Sequence, residues 1–202
     1  MPDDFNMDVL RRRLNENPLP QAPSDGTCLS ASVFLPLFDK GGRPHLLAVL
    51  KADTEGYPWR NQVALPGGHV DAHDTSSLAA AFREIEEELG LLPANLDVIG
   101  SLGHFQTIRQ TEIESFVVFW KGASGRLDFD RQEIARVLEI PIQTLIQNHL
   151  SRNFCDRIPD MGELIYPFSD DNVAIWGVTA RIIHFFIEHL RQTVPEWVKL
   201  QA

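Results

Sequence analysis

The spacing of apolar residues changes several times along the chain, and each change predicts an element. Residues 4–16 carry Phe5, Val9, Leu10 and Leu14 at near-helical spacing, which predicts a short amphipathic helix ending before Pro18. A Pro/Ser/Gly stretch over 19–26 reads as a linker. Two strand-like runs, 31–38 and 45–50, flank Asp39-Lys40-Gly41-Gly42, a hairpin signal. After a polar, irregular stretch, a short apolar run over 62–65 stops at Pro66-Gly67-Gly68. The clearest helix spans 76–89, with Gly90 placed as its C-terminal cap.

Residues 98–106, 114–120 and 163–168 read as further strands, and 141–147 as a short helix introduced by Pro141. A last helix over 175–190 turns Ile175, Val178, Ile182, Phe185, Phe186 and Leu190 toward the core, and Trp176 reads as core at its start. Repeats and regular βαβ alternation are absent. The expected fold is therefore an α/β sandwich with a mixed sheet. It would occupy 27–192, preceded by the helix and linker of 1–26 and followed by a tail over 193–202.

The chemistry concentrates on the helix after Gly68. Leu78, Phe82, Ile85 and Leu89 follow a four-three-four spacing and form one apolar stripe. Glu84, Glu87 and Glu88 stand at i, i+3 and i+4, so they share another face. Like charges at that spacing disfavour a helix by about 0.2–0.5 kcal/mol per exposed pair. A divalent cation relieves the conflict: magnesium takes oxygen ligands and binds a few carboxylates together with substrate phosphates, and manganese accepts the same ligands. An acidic run by itself reads as a solvated helix face. Its setting changes that: a Pro-Gly-Gly turn precedes the helix, Arg83 precedes the first acid, and Gly90 closes the end.

Arg83-Glu84-Ile85-x-Glu87-Glu88-x-Gly90-Leu91 resembles the second half of the Nudix box without a mismatch. The first half differs: Asp74 stands where a glutamate is usual, and the gap from there to Arg83 is one residue longer. Several segments resemble the coenzyme A pyrophosphatase branch of that family. They are Gln62-Val63-Ala64-Leu65-Pro66-Gly67-Gly68-x-x-Asp71, Glu133-Ile134 with Val137-Leu138-Glu139-Ile140-Pro141-Ile142, and Ile175-Trp176-Gly177-Val178-Thr179-Ala180-Arg181-Ile182. Upstream, Lys51-Ala52-Asp53 and Pro58-Trp59-Arg60-Asn61 replace the branch's usual Arg-Ser pair and histidine, and Leu65 replaces a phenylalanine.

The resemblance implies a hydrolase that cuts the diphosphate of a nucleoside diphosphate linked to another group. Coenzyme A or a derivative is the first expectation, giving 3′,5′-ADP and a phosphopantetheine. ADP-ribose, a dinucleotide or a nucleotide sugar is the alternative, and a non-catalytic binding module is a second. Glu84, Glu87 and Glu88 would bind Mg2+ or Mn2+, with a main-chain carbonyl at Gly67 or Gly68 as a further ligand. Arg83 would orient the acids, or simply pair with Glu87 along the helix. Glu133 is the first candidate for a general base, with Glu112 and Glu114 behind it.

Other residues have plainer readings. His69, His73 and His104 could contact a substrate, but their setting does not suggest a zinc site, and polar loop histidines are the simpler reading. Trp59 and Phe105 could stack on a base, but a buried or rim aromatic is the simpler reading. Lys51, Arg60 and Arg109 could hold a phosphate, although lone basic residues more often do nothing specific.

Composition narrows the classes. In 202 residues, 44% are hydrophobic and 23% charged, with a formal net charge of −10. That balance is ordinary for a soluble domain and argues against a duplex nucleic-acid binder, which needs a basic footprint. It suits a phosphate-handling enzyme whose cations supply positive charge locally. No run is long enough to cross a bilayer, and the N-terminus, with acids ahead of its basic cluster, does not read as a secretory signal. Cys28 and Cys155 form no CxxC pair and read as reduced thiols of a cytoplasmic protein. The C-terminus carries no address. The expected partner is a small nucleotide-derived molecule, with neither nucleic acid nor membrane. The oligomeric state, homodimer included, stays open.

Overall fold

Strands β1 (Leu29–Lys40) and β2 (Arg43–Lys51) form the expected hairpin. Gly41 and Gly42 supply the two-residue turn at φ +63 and +80, a conformation favouring glycine at both central positions. The computed structural model describes residues 7–16, 19–21, 29–56, 59–107, 110–122, 127–168 and 173–193. Phe5, Cys28, Arg109, most of the 19–26 linker and the tail from 194 onward lie outside them.

Residues 31–38 of β1 are all buried, a continuous rather than alternating pattern, because both faces of this strand are covered. Around it runs a mixed sheet in the order β3 (Val63–Ala64), β2, β1, β6 (Thr111–Trp120), β5 (Leu96–Gln106). Strand β4 (Gly67–His69) adds antiparallel to β1, and β7 (Ile134–Pro141) adds antiparallel to β2. The β1–β6 pair is parallel, which makes the sheet mixed as expected. The strand β7 is new: Ile134, Val137, Leu138 and Ile140 recur at spacings closer to a helix than to strict alternation, and pairing with β2 decides the matter.

Two cores result, one on each face. Helix α2 (Ser77–Leu89) covers one face, burying Ile85 and Leu89 with Phe34, Phe38, Phe116 and Trp120, while Leu78 and Phe82 pack beside them. Helices α1 (Met7–Glu16), α3 (Ile142–Ser151) and α4 (Gly177–Thr193) cover the other, through Leu10, Leu14, Leu145, Ile182, Phe186 and Leu190. Two expectations need correction. The strand over 163–168 is only β8 (Tyr166–Pro167), paired with β9 (Ala174–Ile175), so α4 begins after Ile175. Trp176 is not core: lying between β9 and α4, it is 49% exposed.

A buried polar network ties α3 to α4. His149 is fully buried, with Nε2 2.8 Å from Glu188 and Nδ1 2.9 Å from the Tyr166 hydroxyl. Arg191 and the Asp156 amide also donate to Glu188, at 2.7 and 3.0 Å. Burial alone would raise the Glu188 pKa, but these donors outweigh it and hold the carboxyl at about 2. Burial, reinforced by nearby His149, lowers His184 to about 4 from 6.5.

Both shifts act in the same direction. Between pH 6.5 and 4 the unfolded chain binds a proton that folded His184 refuses, so stability falls as pH drops through that window, by on the order of 3 kcal/mol. Below about pH 4.5 the depressed Glu188 adds a further loss, completed as pH falls through 2. Urea midpoints measured from pH 7 to pH 4 should decline steadily, and a flat profile would contradict the burial of a neutral His184.

Candidate active site

Local rules place α2. The Ser76 side chain accepts the Ala79 N–H at 3.1 Å as N-cap, worth about 1 kcal/mol. Gly90 closes the helix at φ +66, its N–H donating to the Glu86 carbonyl. With the apolar stripe anchored on the sheet, the acids project along the side of α2 that faces β4 and the end of β2. They are not equivalent: the side chain of Glu87 is 60% exposed, that of Glu84 20%, and that of Glu88 only 6%.

The glycine turn fits this helix closely. A Cβ on Gly68 would lie 2.5 Å from the Glu84 carboxylate carbon, so only glycine lets that carboxylate rest against the β4 backbone. A Cβ on Gly67, at φ +145, would lie 2.2 Å from the Ser32 carbonyl oxygen. Gly67 also donates its N–H to Glu88 at 3.0 Å. The other oxygen of Glu88 accepts from Lys51, itself buried. Burial raises the Glu88 pKa; Lys51 and the Gly67 amide oppose that rise without cancelling it, and Glu84 adds to it.

Arg83 gathers the rest. It forks onto Asp74 at 2.9 and 3.2 Å, donates to Glu84 at 2.9 Å and Glu87 at 3.2 Å, and reaches the His69 carbonyl at 3.0 Å. Arg83 therefore bonds Asp74 and Glu84 as well as pairing with Glu87 along the helix. The guanidinium holds the Asp74 carboxyl below the usual range, helped by the Asp71 amide at 2.8 Å. Asp74 thus closes the loop between β4 and α2 and clamps Arg83. Arg83→Lys keeps the charge but cannot span these acceptors. It should lower kcat at least tenfold with circular dichroism unchanged, and full activity would remove Arg83 from the site.

The remaining candidates scatter. Glu133 is exposed and sits just before Ile134, the register partner of Lys51, while its carbonyl accepts the Ala52 N–H at 2.8 Å. Its chain position thus lies beside the strand end that delivers Lys51 to Glu88. Glu114 is bound by Ser77 and by Ser101 at 3.3 Å, near the opposite end of α2, and Glu112 lies 2.5 Å from His104 Nδ1. His69 and His73 are exposed. Phe105 is buried edge-on to Phe185 at 5.8 Å, Trp59 is half-buried, and Arg60 faces Asp53 at 3.8 Å. Lys51, read from sequence as a lone cation, is the partner of Glu88. Asp74 as the clamp on Arg83 was missed: the signal was an acid in a short loop before the helix, nine residues from its arginine.

An Arg-clamped set of carboxylates thus stands over a glycine turn, on a helix packed against a mixed sheet. Comparison with known proteins identifies it. Residues 29–156 match the NUDIX domain, and the chain belongs to that family. An uncharacterized Nudix hydrolase, NudL, of Shigella flexneri serotype 5b is 30% identical, over 90% of this chain and 90% of its own. Nudix hydrolase 22 of Arabidopsis thaliana, a chloroplastic protein, is 28% identical over 76% of this chain, which spans about half (52%) of that relative's length. Two solved structures share the fold: a MutT/nudix family protein of Enterococcus faecalis (TM-score 0.54, 16% identity, 85% of this chain and 65% of that one) and a MutT protein of Methanosarcina mazei Go1 (0.50, 15%, 87% and 97%). The chain is thus a Nudix hydrolase, an enzyme class that acts on nucleoside diphosphates linked to another moiety and generally uses divalent metal ions. Among the described residues, no helix is long and apolar enough to cross a membrane.

Proposed function

We propose that the protein hydrolyses the diphosphate of coenzyme A or an acyl derivative, releasing 3′,5′-ADP and a phosphopantetheine. The observation that carries the hydrolytic part is the fit of the Glu84 carboxylate over Gly68, with Arg83 bracing Glu84 and Glu87. The all-oxygen donor set suits Mg2+ or Mn2+. Glu84, Glu87 and Glu88 would hold the ions, with a carbonyl of Gly67 or Gly68 completing the set. Bound divalent cations supply acidity to water and neutralise charge on the phosphoryl oxygens.

The chain's own residues do the rest. Arg83 keeps the carboxylates from splaying under mutual repulsion. Glu88, buried and tied to Lys51, is the most rigid of the three. Glu133 accepts a proton from the water that attacks phosphorus, as the bridging phosphorus–oxygen bond breaks and the leaving phosphate departs. The substrate choice is supported by the two signature segments: 62–68 and 175–182, far apart in sequence, meet where β3 touches β9, with exposed Trp176 beside them.

Mass spectrometry of a panel with each metal tests this. Coenzyme A should be consumed fastest, ahead of ADP-ribose, a dinucleotide and a nucleotide sugar. Fast turnover of ADP-ribose beside an untouched coenzyme A would overturn the substrate assignment and leave the hydrolase standing.

A further inference from the structure

A sizeable cavity lies away from the acids. It has a volume of about 670 Å³ and lies along α4, on the sheet face opposite α2, between the 19–21 segment and the end of β5. A second cavity of about 330 Å³ shares Ile158, His184 and Phe185 with it, so the two form one cleft. Volumes of this order, roughly 300–1,000 Å³, are those of small-molecule sites.

Phe105, Phe185, Ile158 and Met161 form its apolar wall; Gln21, His104, Gln106 and Thr107 line one side, and Arg181 and His184 line it from α4. His184 is 97% buried (3% exposed), and its Nδ1 has no hydrogen-bond partner among the described residues. A ring N–H directed at the neighbouring Arg157 backbone would leave Nδ1 as an acceptor. A buried acceptor without a donor is unfavourable and calls for one.

Arg181, three residues earlier on α4 and on the same helix face, lines the same cavity and makes no ion pair with a described residue. The other arginine of the cleft, Arg157, is taken by Glu163 at 3.0 Å, and Glu188 by His149 and Arg191.

The geometry points to a second small-molecule site in this cleft for an organic monoanion that bears an amide N–H near its carboxylate and an apolar tail. The carboxylate pairs with Arg181, the N–H donates to His184 Nδ1, and the tail lies against Phe185 and Ile158. A single guanidinium matches one carboxylate through two parallel hydrogen bonds, whereas a phosphate dianion would ask for more positive charge than the wall offers. An N-acylated amino acid has this chemistry. The site is independent of the acids on α2.

Calorimetric titration of the full chain at pH 7 with N-benzoylglycine tests it. One saturable site is expected. Methylating the amide nitrogen removes the donor, and esterifying the carboxylate removes the charge; each should weaken binding at least tenfold. Arg181→Gln should weaken the parent acid to the level of its ester while leaving the ester's affinity unchanged. Glu87→Gln should bind as the wild type does, which separates this site from the hydrolytic one. Absence of saturable binding would overturn the assignment, and so would binding insensitive to N-methylation and to Arg181→Gln.

Discussion

Glu87→Gln is expected to lower kcat by about 10²–10³-fold while leaving the thermal midpoint unchanged. The magnitude is that of removing one electrostatic contact aimed at charge that develops in the transition state. The stability half follows from exposure: the Glu87 side chain is 60% exposed and, among the described residues, pairs only with Arg83, which keeps Asp74 and Glu84 when Glu87 is lost. Glu88→Gln should cost at least as much activity and also destabilise the fold, because Lys51, 6% exposed, would lose the carboxylate that neutralises it. Stranding one partner of a buried pair typically costs about 3–5 kcal/mol. Steady-state kinetics with parallel melting curves separate the two. Equal effects of both variants on stability would show that Glu88 is not buried as described.

The glycine pair should separate in the opposite way. Gly68→Ala places a methyl 2.5 Å from the Glu84 carboxylate, the far end of a flexible side chain, which can swing away. The fold survives, but the acid leaves its position, and displacement by about 1 Å can cost about a hundredfold in rate. Gly67→Ala meets backbone instead, 2.2 Å from the Ser32 carbonyl at φ +145, so β4 itself must shift. A loss of about 3 kcal/mol is expected there, from strain and a broken β1–β4 pairing. Urea denaturation and kcat on both variants check this. A Gly68→Ala enzyme of full activity would sink the claim that the turn positions Glu84.

Much of this site was legible in the chain because its information is local. The stripe Leu78, Phe82, Ile85, Leu89, the cap at Gly90 and the acids at i, i+3 and i+4 depend on helix period alone, and the structure keeps them. What was illegible depends on partners distant in sequence. Strand β7 has an ambiguous period and is settled by pairing with β2. Trp176 looks like core by residue type, yet its backbone lies in the short link between β9 and α4, so the ring faces outward. Lys51 has no feature of its own that predicts Glu88, and no spacing rule joins Asp74 to Arg83 across a loop. The unpartnered nitrogen of His184 is visible only once α4 lines a cleft.

Manganese titrated into the full chain in the calorimeter, with a non-hydrolysable methylene-bridged diphosphate present, tests the central claim most directly. Saturable uptake is predicted for the wild-type protein, strongly weakened in Glu87→Gln and Glu88→Gln. A wild-type protein that takes up neither manganese nor magnesium under those conditions would contradict it.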